Sequence, residues 1–121
     1  MQSLFNFIDQ NWKTLSGVTL LSITIMSLIP LPELPLFPGS DKTHHLIAYG
    51  LLMFPVALHK PKGWLWIAFG FIVWSGAIEL IQPYVNRYGE WLDLLANALG
   101  VCLGYFIANL VLRIYKGLIT N

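Results

Sequence analysis

Long apolar runs alternate along the chain with short stretches that are polar or contain proline. Four such runs predict helices over about residues 12–29, 42–59, 64–82 and 92–114. Their lengths lie close to the roughly 20 residues that a helix needs to cross the apolar core of a bilayer. The pattern therefore predicts a single all-α membrane domain over residues 1–121, built as a bundle of four transmembrane helices.

The segments between and before these runs follow other patterns. Residues 1–14 mix aromatic and aliphatic with polar side chains, which is typical of an amphipathic lead-in at the membrane interface. A cleaved signal peptide is disfavoured, because a Pro-Leu-Pro-Glu-Leu stretch, and no small-residue cleavage site, follows the first run. Four prolines predict an extended linker over residues 30–40. Pro55 predicts a kink or local unwinding in the second of the four helices.

Composition agrees with a lipid environment. Hydrophobic residues make up 56% of the chain and charged residues 11%, against roughly 25% charged residues in soluble domains. A soluble fold of 121 residues could not bury so much apolar surface. The net charge of +1 gives no reason to expect a nucleic-acid partner. The single cysteine, Cys102, lies inside an apolar run and is interpreted as a packing residue.

The basic residues predict how the helices are oriented. Five of them, Lys13, Lys60, Lys62, Arg113 and Lys116, lie on the side of the chain termini, and two, Lys42 and Arg87, lie on the other side. The positive-inside rule therefore predicts that the N- and C-termini are cytoplasmic. The start of the second helix, the end of the third and the start of the fourth then face the outside.

Polar side chains concentrate at these three outer helix ends. Asp41, His45 and Tyr49 are spaced i, i+4 and i+8, so that they form one row on the second helix. The other members of this polar layer are Lys42, Glu79, Gln82, Arg87, Asp93 and Asn97. An acid exposed to lipid at a helix centre costs about 2.5–3.5 kcal/mol on insertion scales. The sequence therefore predicts an outward-facing polar pocket, walled by the second, third and fourth helices.

These residues, in this order, resemble the VanZ-like family of small membrane proteins. The resemblance covers about residues 41–104 and rests on Asp41-Lys42-x-x-His45-x-x-x-Tyr49, Glu79-x-x-Gln82, Arg87, and Asp93-x-x-x-Asn97-x-x-Gly100. It implies a helical, multi-pass bundle in the bacterial cell membrane. Some members of the family are linked to resistance to the glycopeptide antibiotic teicoplanin. The resemblance brings no settled biochemical activity with it.

The polar residues permit several roles. His45 is a candidate acid or base, with Glu79 or Asp93 as its partner, because histidine is the side chain that titrates near neutral pH. Lys42 and Arg87 can hold an anion such as a phosphate or a carboxylate. The alternative for these two cations is pairing, of Lys42 with Asp41 or Asp93, and of Arg87 with Glu79 or Glu90.

The remaining polar residues have simpler interpretations. Gln82 and Asn97 are expected to link helices by hydrogen bonds, and Tyr49 supplies either a site hydroxyl or a phenol at the interface. Three carboxylates with His45 can ligate a divalent metal, but the chain has no HxxxH or HExxH spacing. We therefore predict neither a metal nor another cofactor. Gly100 and Gly104 form a small-xxx-small pattern that allows another helix to approach closely.

Three functions are compatible with this layout. The first is a membrane module that binds an anionic head group, from a lipid or a lipid-linked cell-wall precursor, and so modifies the envelope or contributes to teicoplanin resistance. The second is a membrane enzyme that acts on a lipid-linked envelope substrate, with His45 as its acid or base. The third is a small transporter subunit, which requires a homo-oligomer. In each case the lipid bilayer is the expected partner.

Overall fold

A computed structural model describes residues 1–30 and 40–121, and the regular secondary structure of this part of the chain is entirely helical, without strands. Its α-helices are α1 (Gln2–Gln10), α2 (Trp12–Leu28), α3 (Asp41–His59), α4 (Trp64–Ile81) and α5 (Trp91–Ile119), and a 3₁₀ turn (Gln82–Val85) extends α4. The linker predicted for residues 30–40 falls almost entirely outside the described residues.

The ends of α3 follow from local capping chemistry. The Ser40 hydroxyl accepts a hydrogen bond from the Thr43 amide at 3.2 Å, which caps the first turn. Lys60 stops the helix in a left-handed conformation, with φ at 52°. The helix continues through Pro55, so the predicted local unwinding does not occur. Pro55 is buried, and Ser16 of α2 donates to the nearby Leu52 carbonyl at 3.2 Å, so neighbouring groups support the helix there.

Helix α3 forms the centre of the bundle. It contacts α1, α2, α4 and α5, and most closely α5. Five buried apolar side chains on α3 are at most 1% exposed: Tyr49, Leu52, Met53, Val56 and Ala57. The middle of α3 is therefore enclosed by its neighbours, and the polar residues near its start contact α5.

The contact between α3 and α5 depends on glycine. A Cβ atom at Gly100 would collide with the Leu46 carbonyl oxygen, and one at Gly104 would collide with the Gly50 carbonyl oxygen. The close helix approach predicted from the spacing of Gly100 and Gly104 is confirmed. This approach brings the polar start of α5 against the polar start of α3.

The outer surface is strongly apolar. Among the described residues, the α4 segment extended to Trp64–Val85 and α5 are long and apolar enough to cross a membrane. Helix α2 is also apolar but has only 17 residues. Large apolar side chains face outward along these helices, including Leu65, Trp66, Phe69, Phe106 and Leu110. Such a surface is suited to contact with lipid and not with water.

The residues of the predicted interfacial lead-in are packed against the bundle. The Phe5 ring stacks on Tyr115, with centroids 4.4 Å apart, and Asp9 approaches His59 at 3.0 Å. Trp12 stacks on the same His59 ring at 5.2 Å. Helix α1 is thus fixed to the end of α3 that lies opposite the polar layer.

Candidate functional site

The polar layer forms where the starts of α3 and α5 meet the end of α4. The structure brings together Lys42, His45, Glu79, Asp93 and Asn97, which the sequence predicted to share one depth. Asp93, Asn97 and Glu79 are 3%, 2% and 6% exposed. Burial of so many polar groups requires them to satisfy one another, and most of the contacts run between helices.

Lys42 connects α3 to the start of α5. Its Nζ lies 2.5 Å from Glu90 Oε2 and 2.6 Å from Asp93 Oδ1. Pairing of Lys42 with Asp93 was one of the alternatives left open by the sequence. Because the Asp93 carboxylate is buried, this ammonium supplies the charge that compensates it. An anion at Lys42 would have to compete with two carboxylates.

His45 is oriented by a chain of hydrogen bonds. The Asn97 side chain donates from Nδ2 to Ser75 Oγ at 2.5 Å, so its Oδ1 faces the other way, toward His45 Nδ1 at 2.9 Å. Because an amide oxygen only accepts, Nδ1 of His45 carries the proton of this contact. The other ring nitrogen, Nε2, then faces Asp41 Oδ2 and Asp93 Oδ2, each at 3.7 Å.

Ser75 is a site residue that the sequence reasoning missed. It is fully buried on α4 and holds the Asn97 amide, and the Tyr49 side chain lies beside it. Ser75 precedes Glu79 by four residues, so both lie on one face of the helix. That spacing was the signal available in the sequence. Tyr49 is 1% exposed and therefore is not the interfacial phenol of the second interpretation.

Glu79 is held by the loop between α4 and α5. Its Oε2 accepts a hydrogen bond from the Glu90 amide at 2.9 Å. A Cβ at Gly89 would collide with the Glu79 carbonyl oxygen, so only glycine allows the loop to pass so close to α4. The second oxygen, Oε1, is buried and has no hydrogen-bond partner within the described ranges.

Arg87 and Gln82 bind the end of α2. Arg87 donates from Nη1 to the carbonyl oxygens of Met26 and Ile29, both at 3.0 Å, and Gln82 donates to the Ser27 carbonyl at 3.1 Å. The pairing of Arg87 with Glu79 or Glu90 is not found. The physical reason is that the last carbonyls of a helix lack intrahelical partners and carry partial negative charge.

A cavity of about 490 Å³ lies between α2 and α3, beside the polar layer. Its long wall is mostly apolar: Ile23, Met26, Ile47, Ala48 and Leu51. Its polar lining includes Asp41, His44, His45 and Arg87. The pocket was expected among α3, α4 and α5. The polar groups of those three helices instead contact one another, and this cavity lies next to α2. A smaller cavity of about 210 Å³ lies between the end of α4 and the start of α5, where Glu79, Glu90 and Trp91 line it.

The site can therefore support two kinds of chemistry beside this cavity, proton transfer and binding of a metal ion. His45 lines the cavity, where an imidazole can exchange a proton. Asp41, His45 and Asp93 each present a donor atom, and these atoms lie within 4.8 Å of one another. Lys42 supports Asp93, and Asn97 supports His45, through the contacts described above.

Comparison with known proteins places the whole bundle in one family. The model of the VanZ/LLP1 family matches residues 1–112, which extends the resemblance seen over residues 41–104 to nearly the full chain. Comparisons with curated proteins and with solved structures gave no significant match. Proteins of this family are membrane-associated, and two helices among the described residues of this chain are long and apolar enough to cross a membrane. From its helices, its polar layer and this match, the chain belongs to the VanZ/LLP1 family.

Proposed function

We propose that the chain spans the bacterial cell membrane four times, as α2, α3, α4 and α5, with cytoplasmic termini. Helices of 17, 19 and 18 residues have lengths of about 26–29 Å, close to the roughly 30 Å hydrocarbon core. Helix α3 is the least apolar of them, but its neighbours shield it from lipid. The distribution of lysine and arginine supports the orientation.

The proposed function is binding of an anionic head group, from an envelope lipid or a lipid-linked cell-wall precursor. The observation that carries this proposal is the cavity, which places Arg87 and His45 beside a long apolar wall. An amphipathic lipid has the same arrangement, a charged head next to an apolar tail. The volume of about 490 Å³ lies in the usual range of ligand pockets.

Arg87 is the cation best placed for the head group. Its two hydrogen bonds to α2 both use Nη1, so fixing the side chain does not use Nε or Nη2. A guanidinium held in this way is oriented in advance for a phosphate or carboxylate. Lys42 lies at the same end of α3 but is shared between Glu90 and Asp93. Arg87 therefore makes the main contact and Lys42 a secondary one.

The test measures lipid binding by the full chain in detergent micelles. The probes are phosphatidylglycerol and a polyprenyl phosphate, with phosphatidylcholine for comparison. We expect both anionic lipids to bind, and Ile47→Trp, which fills the cavity, to weaken binding at least tenfold. Leu110→Trp is the matched control, because Leu110 is exposed on α5. Arg87→Ala should remove the preference for anionic over zwitterionic lipid. Equal binding by wild type and Ile47→Trp would contradict the proposal.

A contribution to teicoplanin resistance follows if the bound lipid carries the antibiotic's target. Expression of the chain in a sensitive bacterium is then expected to raise the inhibitory concentration of teicoplanin. Ile47→Trp is expected to abolish the increase, and Leu110→Trp to retain it. If the increase persists in Ile47→Trp, resistance does not depend on the cavity.

An acid–base enzyme is the second candidate, and it is favoured because His45 lines the cavity and its Nε2 lies 3.7 Å from each of two carboxylates. In this function the imidazole transfers a proton to or from a lipid-linked substrate. The discriminating measurement is turnover of envelope lipids by the purified chain. Binding without turnover, or turnover that survives His45→Ala, excludes this candidate and leaves the binding function intact.

A further inference from the structure

Asp41, His45 and Asp93 form a compact group of potential metal ligands across α3 and α5. Nε2 of His45 lies 3.7 Å from Asp41 Oδ2 and 3.7 Å from Asp93 Oδ2. All three donor atoms lie within 4.8 Å of one another. Two carboxylates and one imidazole are a ligand set used by divalent transition-metal ions.

The hydrogen bonds of His45 orient it as a metal ligand. Because Asn97 Oδ1 accepts a hydrogen bond from Nδ1–H, a neutral His45 presents the lone pair of Nε2 to the two carboxylates. A lone pair facing two carboxylate oxygens is repulsive unless a proton or a metal ion lies between them. Ligating histidines commonly have their other ring nitrogen fixed by such a partner. Ser75 in turn fixes the Asn97 amide.

Carboxylates outnumber lysine and arginine side chains around this group, which also favours binding of a cation. Lys42 Nζ contacts Asp93 Oδ1 and leaves Asp93 Oδ2 directed to His45. Glu79 is 6% exposed, interacts electrostatically with Asp93, His45 and Asp41, and has no hydrogen-bond partner for Oε1 within residues 1–30 and 40–121. The carboxylates of this layer are Asp41, Glu79, Glu90 and Asp93, and among the lysine and arginine side chains in the described part of the chain only Lys42 forms an ion pair with any of them.

We propose that Asp41, His45 and Asp93 bind one divalent transition-metal ion, through Oδ2 of each aspartate and Nε2 of the histidine. Ligands about 2.1 Å from an ion lie roughly 3.0–3.4 Å apart at ordinary coordination angles. The two 3.7 Å separations therefore need to shorten by only a few tenths of an ångström. Lys42 keeps the other oxygen of Asp93.

The position of this ion would connect it to the cavity. Asp41 and His45 both line the cavity, so open coordination positions of the ion would face its occupant. An anionic head group could then bind to the ion as well as to Arg87. An ion on Nε2 also excludes proton transfer at that nitrogen. The ion site does not depend on the lipid function, because its three ligands belong to the protein.

The test is a titration of the full chain, purified in a neutral detergent and free of chelators, with Zn²⁺ by calorimetry and with Mn²⁺ by electron paramagnetic resonance. We expect one equivalent of Zn²⁺ to bind, and X-ray absorption to show one nitrogen ligand of imidazole type together with oxygen ligands. His45→Ala and Asp41→Asn are each expected to weaken binding at least tenfold. Asp41 is exposed, so Asp41→Asn leaves the core intact.

The matched control uses a second histidine–carboxylate pair. His59 and Asp9 lie 3.0 Å apart at the opposite end of α3. His59→Ala is expected to bind Zn²⁺ with unchanged affinity. Absence of saturable binding, or equal affinity in wild type, His45→Ala and Asp41→Asn, would overturn the proposal. No lipid is added, so this result is separate from that of the lipid-binding test.

Discussion

At the scale of single residues, Asn97 organises the polar layer. Its amide accepts from His45 and donates to Ser75, so one buried side chain joins α3, α4 and α5. The orientation of His45, on which the proposed proton transfer and the proposed metal binding both depend, is therefore set by a residue without charge.

Replacing Asn97 by alanine should destabilise the bundle. The change leaves the His45 Nδ1 group and the Ser75 hydroxyl without their partner, and an unsatisfied buried polar group costs about 1–3 kcal/mol. The measurement is the free energy of unfolding in micelles. Asn109→Ala is the matched control, because Asn109 bonds only the carbonyl of Tyr105 in its own helix. Equal stability of the two variants would contradict the linking role of Asn97.

Contacts between two side chains were easier to predict from the sequence than contacts between a side chain and a backbone carbonyl. Lys42 and Asp93 have opposite charges at matching helix starts, so their contact was among the expected ones. Arg87 was expected to find a carboxylate, and it binds two carbonyl oxygens of α2 instead. Every residue has a carbonyl, so the sequence carries no local mark of such a partner.

At the scale of elements, the α3–α5 contact determines where the site forms. Gly50, Gly100 and Gly104 allow the two helix backbones to approach closely. This approach sets the distance at which Lys42 reaches Asp93 and His45 reaches Asn97. The packing of the pair and the geometry of the site are therefore linked.

Gly104→Ala is expected to push α3 and α5 apart. The added methyl group would collide with the Gly50 carbonyl oxygen, and overpacking of this kind costs about 1–3 kcal/mol. Gly117→Ala provides the control on the same helix, because a Cβ there has nothing within 4 Å. Thermal unfolding in micelles should show a lower Tm for Gly104→Ala and an unchanged or higher Tm for Gly117→Ala. The reverse order would contradict the close-contact role.

The sequence largely predicted where the helices lie along the chain, but it did not predict which helices pack against one another. Apolar runs end where polar residues or proline begin, which places α4 and α5 in the sequence. The position of α3 at the centre depends on contacts with four other helices. The cavity beside α2 is what remains after those contacts form, and no short motif encodes it.

At the scale of the whole molecule, the proposed topology makes opposite ends of α4 accessible from opposite sides of the membrane. Lys62 precedes α4, and Tyr88 follows its 3₁₀ extension. In a Cys102→Ser background, Tyr88→Cys is expected to react in intact cells with a thiol reagent that cannot cross membranes. Lys62→Cys should react only after the cells are opened. Labelling in the opposite pattern would contradict cytoplasmic termini.

The whole molecule also bears on the transporter alternative. A transport route needs polar groups through the inner half of the bundle. The centre of α3 instead presents Leu52, Met53, Val56 and Ala57, which are completely buried in contacts with their neighbours. A route within one copy of the chain would have to displace this packing. Binding at the outer end requires no such change.

The central position of α3 has a consequence for biosynthesis. Ribosomes make α3 long before α5, yet α5 supplies the closest contacts of α3 and the partners of Lys42 and His45. A nascent chain that ends before residue 91 would hold a weakly apolar helix with its charges uncovered. In the proposed four-span topology, the insertion machinery is therefore expected to retain α3 until translation has delivered the last helix. Truncations within α5 are expected to be degraded by membrane quality control rather than to accumulate as partial bundles.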